Sequence, residues 1–130
     1  MQENEADFTL TFRRLCDAAF DKKMYRSLRH LFKDAAAFDK WSKSWRSRFS
    51  RESVSTEDRT KLMRKVNPAV IPRNHLVEQA LNAAVENLDY GPFEKLVEVL
   101  TSPYEELDGQ SEFMRPPKQG EHVLQTFCGT

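Results

Sequence analysis

The sequence predicts an all-α fold, a small helical bundle of about five to six helices with an extended, irregular C-terminal tail. Three observations predict it. Apolar residues recur three and four positions apart through most of the first hundred residues, the pattern of one buried helix face. Pro and Gly cluster after position 101, where they interrupt any regular element. The chain has 130 residues, 39% of them hydrophobic, enough to build one core. The expected division is a helical domain over 1–101 and an irregular tail over 102–130.

Each element has its own signal. Phe8, Phe12, Leu15 and Ala19 form the stripe of a first helix, and Met24, Leu28 and Leu31, with Tyr25 and Phe32 beside them, continue the pattern. Phe38, Trp41, Trp45 and Phe49 then fall on one face, read as an inward face with Lys40, Lys43, Arg46 and Arg51 around it. Ser55-Thr56-Glu57-Asp58 reads as a helix start, since a Ser at the N-cap can accept from a backbone N–H three residues on and acids suit the first turn. That helix would present Leu62 and Val66 and stop at Asn67-Pro68, because Pro68 disfavours helix at Asn67 and has no N–H to donate. Pro72-Arg73-Asn74 opens the next, with Leu76, Ala80, Ala83 and Ala84 inward and Leu88 closing the stripe. Gly91-Pro92 breaks it. Phe93, Leu96, Val97 and Leu100 form a short last helix, and the brief connection between the two predicts an antiparallel hairpin.

Net charge is zero, but it is unevenly spread. Residues 40–65 carry a net of +6 and residues 66–130 a net of −6. This suggests internal pairing, or two halves that face different neighbours. No apolar run reaches 18 residues, so no helix is expected to span a membrane. The start, Met1-Gln2-Glu3-Asn4-Glu5, reads as neither a signal nor a transit peptide, and two cysteines make no disulfide framework. The expected compartment is the cytoplasm.

Chemically suggestive residues are few. His30, His75 and His122 have no partners at metal-ligand spacing, and no Gly-rich phosphate loop or nucleophile elbow occurs. No catalytic residue and no metal site is therefore expected. Trp41–Arg51, with both tryptophans and four basic residues, has the composition of a single-strand-binding helix, but its ring spacing reads first as core, so nucleic acid is not the expected partner. Cys16, inside the first helix, reads as a small packed hydrophobe. Cys128, three residues from the end and followed by Gly129, could exchange disulfides with a distant partner or be an idle thiol.

Several stretches in order resemble the C-terminal region of the selenoprotein O (YdiU) family. They are Asp7-Phe8-Thr9-Leu10-Thr11-Phe12-Arg13-Arg14-Leu15, Trp41-x-x-x-Trp45, Met63-Arg64-Lys65-Val66-Asn67-Pro68, Pro72-Arg73-Asn74-His75-Leu76-Val77-Glu78-Gln79-Ala80, Leu100-Thr101-Ser102-Pro103-Tyr104 and Phe127-Cys128-Gly129-Thr130. The resemblance covers nearly the whole chain. It implies the helical part that follows a kinase-like core in a much longer protein adenylyltransferase, a pseudokinase that moves AMP from ATP to protein hydroxyls. ATP and Mg (or Mn) would belong to that core, and the core and the parent's protein substrates would be the partners. The resemblance further implies a redox role for Cys128, paired with a cysteine of the core. It implies structural roles for Asn67, Pro68, Arg73, Asn74, Pro103 and Tyr104. The competing expectation is an autonomous helical protein-interaction module.

Overall fold

A computed structural model describes residues 2–18, 21–106 and 108–123. Ala19 of the first stripe and Cys128 with its neighbours lie outside the described residues. The described residues are all-α, with no strand. After a 3₁₀ turn at Gln2–Asn4 come α1 (Phe8–Ala18), α2 (Lys22–Arg29), α3 (Ala35–Phe49), α4 (Thr56–Val66), α5 (Asn74–Asn87), α6 (Gly91–Leu100) and α7 (Ser111–Met114). Six helices stand where the periodicity predicts them, and a one-turn seventh lies in the stretch expected to be irregular. The chain forms two compact units, Met1–Pro68 and Ala69–Thr130.

In the first unit, short acidic and hydroxyl side chains set the helix starts. Asp7 accepts from the Leu10 amide at 2.7 Å, Asp21 from the amides of Lys23 and Met24, and Asp34 from those of Ala36 and Ala37. Ser55 accepts from the Asp58 amide at 3.1 Å, as its N-cap position predicts. α1 packs against α2 and α4, and α2 against α3. Leu15, Ala18, Leu28 and Phe38 are the buried centre, with Phe12, Tyr25, Phe32, Trp45 and Met63 around it. Arg13 is buried and donates to the carbonyls of Asn67, at 3.0 Å, and Arg64. It places a cation where the last carbonyls of α4 lack partners of their own.

Several expected stripes are rotated. Phe8 is exposed and lays its ring on Phe12, while Leu10, Thr11 and Leu15 point inward. On α3, Phe38 is buried, but Trp41 is 46% exposed and stacks on Trp45. Ser42 takes the inward place because the Tyr25 hydroxyl meets its Oγ at 2.8 Å. On α4, Leu62 and Val66 are 56% and 72% exposed. The inward face is instead Arg59, Thr60 and Met63. Thr60 Oγ1 donates to the Cys16 carbonyl at 3.0 Å, Met63 packs on the core, and Arg59 lies over the Phe49 ring at 4.2 Å. The basic segment finds acids within its own unit: Glu52 meets Arg48 and Arg59, Glu57 meets Lys61, and Asp17 meets Arg64.

In the second unit, α5 and α6 pack as the predicted hairpin, with Leu76, Ala80 and Leu96 buried between them and Val77, Leu100 and Phe113 alongside. Leu88 does not close the inward stripe. It is the left-handed C-cap of α5, with φ 55°, and is 75% exposed. Gly91 and Pro92 start α6 rather than merely ending α5, Pro92 lying in the first turn. The buried face of α6 is Leu96 and Val99, so Phe93 and Val97 are exposed.

Phe38→Ala should lower the unfolding free energy by about 3–5 kcal/mol, whereas Leu62→Ala, on an exposed face, should change it by no more than about 0.5 kcal/mol. Urea unfolding followed by tryptophan fluorescence separates the two; equal losses would mean that α4 turns the Leu62 face to the core.

Candidate functional site

The motif residues fall in both units. Asn67 and Pro68 end the first. The Asn67 side chain donates to the Met63 carbonyl at 2.8 Å and its own carbonyl receives Arg13, so it closes α4 from two sides. The other four lie in the second unit. The Pro103 carbonyl accepts from the amides of both Ala69 and Val70, at 2.7 and 3.2 Å, which ties the segment before α5 to the turn after α6. Arg73 is the buried N-cap of α5 and donates from Nη2 to the Met114 carbonyl at 2.8 Å, the end of α7. Asn74 is the first residue of α5 and offers no side-chain cap. Tyr104 is half exposed.

One polar network was not visible in the sequence. Arg115, just after α7, pairs with Glu112 one turn back and with Glu121 through both terminal nitrogens, and donates to the Pro116 carbonyl at 3.1 Å. Its Nη1 also lies 3.4 Å from Nε2 of the buried His75. The Lys118 amide donates to Glu121 at 2.8 Å. The Arg115 guanidinium and then that amide hold the Glu121 carboxyl down at about 2, well below its usual value of 4.5. Glu121 in turn raises Arg115. His75 is pushed below 6.5, first by burial and next by Arg115. Burial and the neighbouring guanidinium thus favour the neutral imidazole of His75. The network is a clasp that folds residues 112–121 onto the start of α5. An open cleft of about 470 Å³ lies beside it, lined by His75, Glu78, Asn82, Glu121, His122 and Val123. The Glu112-x-x-Arg115 spacing was the one local hint; His75 and Glu121 are joined only by the fold.

Cys16 is fully buried, its thiol 3.3 Å from the Phe12 carbonyl, and burial pushes its ionisation up, away from the reactive thiolate. Among the described residues no three His, Cys, Asp or Glu side chains gather as a metal site, and no helix is long and apolar enough to cross a membrane.

Comparison with known proteins is decisive about ancestry. The family described as Protein adenylyltransferase SelO matches residues 1–101. The chain belongs to the SelO family. A protein nucleotidyltransferase YdiU of Rhodopseudomonas palustris (strain BisB5) is 51% identical over all 130 residues, which are 26% of that protein. YdiU proteins of Bradyrhizobium sp. (strain ORS 278) and Rhizobium leguminosarum bv. trifolii (strain WSM2304) are each 50% identical, over 126 and 130 residues, again 26% of their lengths. The chain thus spans about a quarter of the relatives it matches.

The clasp carries a pH dependence. Glu121 is depressed in the folded chain, so its contribution to stability is complete above the unfolded value of 4.5 and is lost as pH falls toward about 2. His75 acts with the same sign in a higher window, since its lowered folded value makes protonation below 6.5 favour unfolding. The Glu121 carboxyl carbon should titrate near 2 by NMR and move toward 4.5 in Arg115→Met. Thermal unfolding of Glu121→Gln should depend less on pH between about 5 and 2 than wild type; a wild-type midpoint at 4.5 would mean that the clasp is open in solution.

Proposed function

We propose that these 130 residues are the C-terminal structural and regulatory segment of a SelO-type protein adenylyltransferase. In this reading the parent is a cytoplasmic pseudokinase that transfers AMP from ATP to hydroxyl side chains of proteins, and the segment alone is not catalytic. The observation that carries it is the match of the chain to nucleotidyltransferases about four times its length. The sequence carries no phosphate-binding loop motif, and among the described residues no metal donors are grouped, so the described residues do not fit ATP with its metal. Both belong to the remainder of the parent, as do the surfaces that choose protein substrates.

Regulation falls to Cys128. The family resemblance implies that the second thiol belongs to the catalytic core, and the burial of Cys16 is consistent with that. Oxidation joins the two sulfurs in one S–S bond, with two protons and two electrons passed to a disulfide oxidant such as oxidised glutathione; a thiol reductant reverses it. The clasp supports this reading by anchoring the root of the arm. The seven steps from Glu121 to Cys128 can span at most about 25 Å, and a disulfide adds about 6 Å between its Cα atoms, so in this reading the core cysteine lies within about 31 Å of Glu121.

AMP transfer to protein should be absent from the 130-residue chain and present in the full-length parent, measured with labelled ATP. Reductant should change the parent's rate several-fold and leave that of Cys128→Ser unchanged. An equal response in both would remove Cys128 as the switch, and AMP transfer by the short chain would overturn its assignment as non-catalytic.

A further inference from the structure

The α5–α6 hairpin buries one face and leaves a second uncovered. Leu81, Val85 and Leu88 on α5, and Phe93 and Val97 on α6, are all exposed, Val85 to 78%. At about 100° per residue, Leu81 and Val85 stand roughly 120–160° around α5 from the buried Leu76 and Ala80, and Phe93 and Val97 roughly 60–100° around α6 from Leu96. Both rotations run in the direction of increasing residue number. The helices are antiparallel, so rotations of the same sense turn both stripes toward one side of the hairpin, the α5 stripe roughly 60° further from its buried face than the α6 stripe. Together they leave one side of the hairpin with uncovered apolar side chains, and the exposed Glu78 and Glu94 stand beside them. Monomeric proteins seldom leave such a patch open.

We propose that this face is the seat of the catalytic remainder of the parent polypeptide, which meets it with an apolar surface rimmed by basic side chains. The inference rests on the reading above only in taking the chain as part of a longer protein. Three features select this occupant. The relatives carry about three-quarters of their length outside the region matched. A surface on the same polypeptide is presented at an effective concentration near millimolar, which a second copy in solution would not reach. Glu78 and Glu94, which stand beside the face, are carboxylates, and a basic rim is complementary to them. Docking here also brings the second unit, with the clasp and the root of the Cys128 arm, against the core that holds the partner cysteine.

Thiol accessibility tests it. In a Cys128→Ser background, Val85→Cys and Val97→Cys are made separately in the 130-residue chain and in the full-length parent, and their alkylation by N-ethylmaleimide is timed by mass spectrometry. Both cysteines should label at the rate of a free thiol in the short chain and at least ten-fold more slowly in the parent. Buried Cys16 should stay unlabelled and so report that each variant is folded. Equal fast rates in both proteins would overturn the proposal. So would slow labelling in the short chain, at all concentrations if its own residues cover the face or only at high concentration if a second copy does. The readout involves no AMP transfer, so the docking and the enzymatic reading fail separately.

Discussion

An amphipathic helix is stable only when its apolar stripe is covered. In this chain α4, α5 and α6 each cover one stripe and expose another. Leu62 and Val66, Leu81 and Val85, and Phe93 and Val97 all sit on helices whose other faces are already in use. The first unit works within that constraint by facing α4 inward with a threonine, a methionine and an arginine stem, so that polar bonds to the Cys16 carbonyl and to Glu52 take the place of aliphatic packing. The second closes its hairpin on Leu76, Ala80 and Leu96 and has few apolar side chains left for the other side. A quarter-length member of a family of longer proteins is where unfilled faces of this kind belong.

Arginines, Arg13 and Arg73 buried and Arg115 partly so, do the joining that a larger core would otherwise do. Arg13 holds the end of α4, Arg73 the end of α7, and Arg115 gathers two carboxylates and a histidine. In each case a guanidinium satisfies carbonyls or carboxylates that the short helices leave open. Through Arg73 and Arg115 residues 112–121 are fixed to the start of α5.

Much of this was legible in the sequence, and the misses share a cause. Helix existence followed from local spacing, and Asn67-Pro68, Ser55 and the α5–α6 connection marked boundaries correctly because capping and proline geometry are local. Helix rotation was less legible. Leu62 and Val66 are the apolar positions that the spacing marks on α4, yet both are exposed, because the rule that apolar residues face the core presumes that the core is complete within the chain. Leu88 failed for a different reason, since a left-handed C-cap leaves the helix and its stripe together. The clasp joins residues 75, 115 and 121, a distance no periodicity records. Cys128 stands apart: its residue type and position were suggestive, and only the family motif series argued for a role.

The dependence of these 130 residues on the rest of the parent is best measured by native-state hydrogen exchange of the most protected amides in α1 and α5, in the chain alone and within the full-length protein. If the exposed faces are docking surfaces, those amides should exchange at least ten-fold more slowly in the parent, a stabilisation of about 1.4 kcal/mol or more. The same exchange rates in both would contradict the account, because the segment would then stand as stably by itself as it does in the parent.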